Sequence, residues 1–328
     1  MEELYFSWKD QIMDIVRRWG EVGVPGKYHV IGVLGMGGSG VVGDYLAMLS
    51  NLRGGLPVIV SKSHLLPRTI SSDDLVFAIS YSGNTLETRL AVDKALRIGA
   101  RIVVVSSDGL LEKLAVEKNI PFVGVVKGVA PRTALPSMLF AILSVLDASG
   151  LGVVSRGEAE GVAGFLDDVM KDAMNTAYDI ADFIESSRGL LIIAGHSPWE
   201  ALLNRGKNEF NENSKIPVKV DVAPEWMHND IVGYEKPYKF PACVLAVKDP
   251  SDDAGSRLVD FMIDTYEGLR FPVKVLELRG ASGLEKLMYG SLVMGLASAR
   301  LARMRGLDPL ATESIHRYKS TVNEIFGV

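Results

Sequence analysis

Short apolar runs that end in glycine recur along the chain. Val30-Ile31-Gly32-Val33-Leu34-Gly35 reads as a strand buried on both faces that feeds a turn. A second run, Leu190-Leu191-Ile192-Ile193-Ala194-Gly195, starts 160 positions after Val30, and the next runs, Leu56–Val60 and Ile216–Val220, keep the 160-residue offset. Third strands follow at Leu75–Ile79 and Ala242–Val247, and fourth strands at Arg101–Val105 and Val273–Leu276. Helix-spaced segments such as Leu86–Ile98 and Arg257–Leu269 lie between them. Alternating strands and helices predict an α/β protein with two tandem, doubly wound parallel sheets, each covered on both faces. Gly157–Ser187 reads as a joining helix, and a terminal helix is expected with Asp308 as N-cap, Pro309 at its first position and an end near Phe326. The expected domains are residues 1–152, with a leading helix, and 153–328, with the linking helix, the second sheet and the terminal helix.

Composition narrows the classes. With 328 residues, 48% hydrophobic and 23% charged, the chain has enough apolar material for two cores. The charge is −5, from 35 Lys+Arg against 40 Asp+Glu, with no basic run, so no broad field attracts nucleic acid. The most apolar stretch, Met138–Leu146, is halted by Asp147 well short of the roughly 18 to 20 residues of a membrane span. Cys243 is the sole cysteine, and Met1–Gly20 has no leader pattern, which together point to a soluble, cytoplasmic protein. The five histidines show no H-x-x-x-H or H-x-H spacing, so neither a metal nor another cofactor is expected.

The two halves differ in their loops. Gly35-Met36-Gly37-Gly38-Ser39-Gly40 has the G-x-G-x-x-G spacing of a dinucleotide site, but Val60 is followed by Ser61-Lys62-Ser63 rather than the acidic residue that would hold a ribose. What remains is a helix N-terminus with bare N–H groups, suited to an anion such as phosphate. Ser80-Tyr81-Ser82-Gly83-Asn84-Thr85-Leu86-Glu87-Thr88 is a hydroxyl-rich loop at the start of another helix. If the strand order is 2-1-3-4-5, Gly37, Gly38, Ser39, Ser80, Ser82 and Thr85 meet at the switch point where open α/β sheets bind ligands. In the second half the matching turn, His196-Ser197-Pro198-Trp199-Glu200, has capping-box spacing, which predicts Glu200 as a cap and a helix end already occupied.

These residues carry a resemblance. Ser80–Thr85 looks like the phosphate loop of sugar isomerase (SIS) domains. Nearly the whole chain resembles the bifunctional phosphoglucose/phosphomannose isomerases of that superfamily: the Gly35–Gly40 turn, the serine loop, Pro131-Arg132, the helix Asn208–Asn213, Pro224–Asn229 and the Thr312-to-Lys319 spacing. The resemblance implies two tandem SIS-type sheets of flavodoxin-like order. It also implies that Gly38, Ser39, Ser80, Ser82, Thr85 and Arg132 bind a sugar phosphate. By the same resemblance Glu212 is the catalytic base, His228 opens the sugar ring from the neighbouring subunit of a homodimer, Lys319 is a further active-site residue, and Thr312 leaves room for both C2 epimers. Asp230 stands where Glu follows His-Asn in many relatives, a departure that bears on loop detail.

The chemistry suits these residue types. Proton transfer between C2 and C1 through an enediol needs a carboxylate near both carbons, the charge that develops needs a fixed cation such as Arg132, expected between Pro131 and Pro136 at the end of a strand, and ring opening near neutral pH suits a histidine. By residue type alone each has a plainer reading as well. Glu212 reads as a solvated helix glutamate, Arg132 as a salt bridge, His228 as an exposed loop residue, and Lys319 as a chain snorkelling beside Ile315, Tyr318 and Val322. Thr312, His316 and Lys319 stand at i, i+4 and i+7. The expected activity is interconversion of glucose 6-phosphate or mannose 6-phosphate with fructose 6-phosphate. Two alternatives stand beside it: a non-catalytic sugar-phosphate-binding regulator of the same fold, and the isomerase half of a glucosamine-6-phosphate synthase.

Overall fold

A computed structural model of the chain describes residues 1–236 and 240–327. The first part runs α1 (Glu2–Phe6), α2 (Trp8–Arg17), β1 (Ile31–Leu34), α3 (Gly37–Arg53), β2 (Val58–Ser61), β3 (Leu75–Ile79), α4 (Leu86–Arg97), β4 (Arg101–Ser106), α5 (Leu110–Lys118), β5 (Phe122–Gly124) and α6 (Leu135–Ala148). The first sheet has the order β2-β1-β3-β4-β5 and is parallel throughout, with Ile31 facing Val58 on one side and Leu75 on the other. β5 lies outside the expected set because three residues are too few to show a period.

The second part runs α7 (Arg156–Ser187), β6 (Leu190–His196), α8 (Glu200–Glu209), β7 (Val218–Ala223), β8 (Ala242–Lys248), α9 (Asp253–Gly268), β9 (Val273–Glu277), α10 (Gly283–Met304) and α11 (Glu313–Phe326). Its sheet has the order β7-β6-β8-β9, the same winding with four strands among the described residues, so the repeat in the sequence is a repeat of topology. The α/β architecture of two doubly wound sheets is therefore as expected.

Burial explains why the central strands are apolar on every residue. β1 and β3 are buried along their whole length, because helices cover both faces of a parallel sheet. On one face Val76, Ala78, Ile102 and Val104 pack with Val92 and Ala95 of α4 and Leu111 and Ala115 of α5. α6 is apolar around its circumference and buried from Leu135 to Leu146, so it is a core helix. Each of its Leu, Ile and Phe side chains contributes about 1.5–3 kcal/mol of transfer free energy. In the second sheet Ile192, Ala194 and Val244 pack against Met262 and Tyr266 of α9 and against Trp226.

The chain separates into two compact units. The first comprises Phe6–Gly164 and the terminal segment from Thr312, and the second comprises Met1–Tyr5 and Phe165–Ala311. The boundary thus falls within α7, whereas the spacing of the sequence suggested 152/153, and α11 groups with the first sheet rather than the second. Two local expectations are corrected. The terminal helix starts at Glu313 with Thr312 in the N-cap position, since Asp308 Oδ1 instead accepts from Leu310 N (2.8 Å) in a separate turn. Arg132 lies in a 3-10 turn, Pro131–Ala134, leading into α6, and not at the end of a strand.

Candidate functional site

In the first unit the loops after β1 and β3 emerge at the switch point of the sheet. After β1 the backbone turns at Met36, extended, and Gly37, with φ of +53°, and α3 begins with no side chain capping it. α4 likewise begins after Thr85 with no side-chain cap. The first-turn N–H groups of a helix have no i−4 partner within it; in α3 Ser39 N turns back to Met36 O (3.0 Å), and the other first-turn N–H groups of the two helices face one switch point, an arrangement suited to an anion.

Specific bonds hold the loops together. Ser39 Oγ accepts from Tyr81 N at 3.2 Å, tying the glycine turn to the serine loop. Ser80 Oγ and Thr85 Oγ1 lie 3.0 Å apart, and Ser82 Oγ accepts from Asn84 N at 3.4 Å. Tyr81 anchors the loop at both ends: Ser107 Oγ donates to its carbonyl (2.6 Å) and its hydroxyl accepts from Val129 N (3.0 Å). A Cβ on Gly38 would lie 3.4 Å from Arg132 Cα, so the 3-10 turn that carries Arg132 packs directly on the start of α3. The structure thus brings Gly38, Ser39, Ser80, Ser82, Thr85 and Arg132 together, with Ser39 spending its hydroxyl on holding the loops.

The sequence reading missed what supports Arg132. Trp8 Nε1 and Gln11 Nε2, both on α2, donate to Thr133 O at 2.9 and 3.0 Å. Tryptophan and glutamine within an amphipathic helix give no local sign that their polar atoms hold a turn 125 and 122 residues away. Thr312 and Lys319 lie on the terminal segment, in the same unit. α11 is fastened by Tyr318 Oη, which donates to Glu87 Oε1 (2.5 Å) in the first turn of α4, and by His64 against Phe326, with ring centroids 4.8 Å apart. The bond to the Glu87 carboxylate pushes the Tyr318 phenol up to about 12. Lys319 itself is exposed, beside this fastening.

Glu212 and His228 belong to the second unit. The expected helix Asn208–Asn213 divides: α8 ends at Glu209, and Phe210–Ser214 form one π-type turn that carries Glu212, which is half-buried. His228 closes a 3-10 turn, Glu225–His228, and is exposed. That turn is anchored by Trp226, fully buried against Tyr234 and Tyr266 at centroid distances of 5.9 and 5.5 Å. Both tyrosines donate to Asp221 Oδ2, at 3.0 and 2.5 Å, and burial pushes the Tyr266 phenol far up, so it remains a donor.

The corresponding switch point of the second sheet differs from expectation. α8 has Trp199 as its N-cap residue and no side-chain cap, so the box between Ser197 and Glu200 does not form; Ser197 lies two residues too early. α9, by contrast, is capped by Asp252, which accepts from Gly255 N at 2.9 Å. Lys286 Nζ, nearly buried, lies 2.9 Å from Asp249 at the end of β8 and also meets Ser251 Oγ. Burial alone would raise the Asp249 carboxyl, but the Lys286 and Ser251 donors outweigh it and hold it below the ordinary carboxylate range. Here the protein supplies its own ion pair. Among the described residues no three His, Cys, Asp or Glu side chains gather as metal ligands, and burial pushes the Cys243 thiol up to about 11.

Residues 27–146 match the SIS domain family, and residues 173–322 match the bacterial phospho-glucose isomerase C-terminal SIS domain. A bifunctional phosphoglucose/phosphomannose isomerase of Aquifex aeolicus is 29% identical, over 99% of both chains. A protein of the same description from Aeropyrum pernix is 30% identical, over 99% of this chain and 98% of its own. A D-glucosamine-6-phosphate 4-epimerase of Sulfolobus acidocaldarius is 28% identical, over 92% of this chain and 91% of its own. With likeness extending through both sheets and the terminal helix, the chain belongs to the bifunctional phosphoglucose/phosphomannose isomerase family.

Proposed function

We propose that the protein is an aldose–ketose isomerase that interconverts glucose 6-phosphate or mannose 6-phosphate with fructose 6-phosphate. The observation that carries this reading is the pair of uncapped helix N-termini, α3 and α4, joined by the Ser39–Tyr81 bond beside the buried Arg132 turn. Backbone N–H groups and hydroxyls suit a phosphate dianion, which explains how an acidic protein of charge −5 can hold one. Gly38, Ser80, Ser82 and Thr85 form this cradle in the proposal, and Ser39, whose N–H donates to Met36 O (3.0 Å), holds its two loops together. Arg132 and Lys319 supply positive charge.

Proton transfer is assigned to Glu212. It takes the proton from C2 of the open-chain aldose and delivers one to C1, while a cation stabilises the enediolate between the two steps. His228 is assigned to ring opening, by protonating the ring oxygen. Thr312 is assigned to accommodating both C2 epimers. Glu212→Gln keeps shape and loses basicity. It is expected to bind fructose 6-phosphate normally and to lower kcat by roughly 10²- to 10⁴-fold. Retention of wild-type turnover overturns the assignment.

The epimerase relative favours a second reading, chemistry at C4 of an amino sugar phosphate. Incubation in deuterated water separates the two. Isomerisation through an enediol exchanges the C2 hydrogen of glucose 6-phosphate, whereas exchange or inversion confined to C4 overturns the first reading.

A further inference from the structure

The turn that carries Glu212 rests on a buried polar layer in which donor and acceptor can be assigned around the Asn213 amide. Asn213 is fully buried, and its amide nitrogen lies 2.8 Å from Ser298 Oγ, 2.9 Å from Glu209 Oε2 and 3.0 Å from Tyr5 Oη. Ser298 gives its own proton to Gly295 O (2.8 Å), so toward Asn213 it can only accept. Tyr5 donates to Glu209 Oε2 at 2.6 Å, and burial and the Glu209 charge push its phenol well above the ordinary range, so it too only accepts from Asn213. Arg205 holds the other oxygen of Glu209. These three groups, Ser298 Oγ, Glu209 Oε2 and Tyr5 Oη, therefore all act as acceptors toward the Asn213 amide nitrogen.

The residues that follow are pinned as well. Ser214 Oγ donates to Ser298 O at 2.7 Å, and the turn ends at Lys215 with φ of +58°. A π-type turn inserts an extra residue into the helical register, and a layer of fixed acceptors beneath it determines which residue faces outward.

We propose that Tyr5, Glu209 and Asn213 are positioning residues for the isomerisation. Asn213 binds downward into the layer and thereby sets the direction of the preceding residue, Glu212. This rests on the reading of Glu212 as the base. A base must be held to a fraction of an ångström, since a displacement of about 1 Å at a reacting group can cost about 100-fold in rate.

The test is Tyr5→Phe, which deletes one oxygen and keeps the ring that packs on Gly295, where a Cβ would lie 2.3 Å from it. kcat and KM for glucose 6-phosphate are measured with the C2-protonated and C2-deuterated sugar. The expected result is a fall in kcat of about tenfold, KM within about twofold of wild type, and a larger isotope effect, because a misaimed base slows the proton-transfer step alone. Asn213→Asp, which sets a second carboxylate against Glu209, is expected to lose more, about 100-fold, with the same split. Should Tyr5→Phe not fold, Ser298→Ala removes another acceptor of Asn213 and is measured in the same way. A loss of kcat that only follows the folded fraction, with an unchanged isotope effect, overturns the positioning role. Full activity in Glu212→Gln overturns the base assignment and this proposal with it. An inactive Glu212→Gln beside an unaltered Tyr5→Phe overturns this proposal alone.

Discussion

Gly83, in the middle of the serine loop, has φ of +65°, and a Cβ there would lie 1.8 Å from Asp108 O. The backbone of one loop leans directly on that of the next, so no side chain of any size fits. Gly83→Ala is expected to destabilise the protein by about 3 kcal/mol, from the left-handed backbone and the overlap together, and to raise KM by displacing Ser82 and Thr85. Urea unfolding and steady-state kinetics check both parts; unchanged values show that the loop can relax. At this scale Ser80, Ser82 and Thr85 were legible, because a hydroxyl-rich segment after a strand has a chemical sense of its own. Trp8, Gln11 and Tyr5 were not, because their polar atoms act on Thr133, Glu209 and Asn213, which lie far away in the sequence.

Helix starts differ in how their first-turn N–H groups are met: α3, α4 and α8 have no side-chain cap, whereas α9 and α10 do. α10 satisfies its own with a full capping box between Ser282 and Glu285. Ser282→Ala is expected to cost about 1 kcal/mol in urea unfolding, with no change in KM. α11 is held by Tyr318, and there the direction of the pH effect follows from linkage. The folded phenol, near 12, lies above its ordinary value of 10.0. The stabilisation is therefore complete below pH 10 and is lost as pH rises toward 12. An absorbance titration of phenolate should show one tyrosine with a midpoint near 12 that disappears in Tyr318→Phe; a spectrum identical in the variant would disprove it. The start of α11 and the division at Phe210 were not legible. Asp308 and Pro309 have the residue types of a helix start, and only the geometry of a separate turn, in which Asp308 Oδ1 accepts from Leu310 N, shows that the helix waits until Glu313.

For the whole molecule, the 160-residue offset already disclosed one winding used twice. What the offset could not disclose is that the units are not contiguous in sequence, since α11 belongs with the first sheet and Met1–Tyr5 with the second. Assembly can be tested at this scale too. If His228 serves the neighbouring subunit of a homodimer, mixing unfolded Glu212→Gln and His228→Ala chains and refolding them together restores one intact site in each mixed dimer, about a quarter of wild-type activity. No restoration places both residues of a site in one chain.

The bond between Tyr5 and Glu209 spans 204 residues. A ribosome adding about 5–20 residues per second needs on the order of 10 to 40 s to cover that distance. Throughout that interval the Tyr5 hydroxyl lacks its partners Glu209 and Asn213. The first sheet can form during the wait, but the layer beneath Glu212 cannot close until Asn213 and then Ser298 have emerged. On the proposed assignment of Glu212 as the base, a translation product arrested before Ser298 would lack the completed layer beneath that residue.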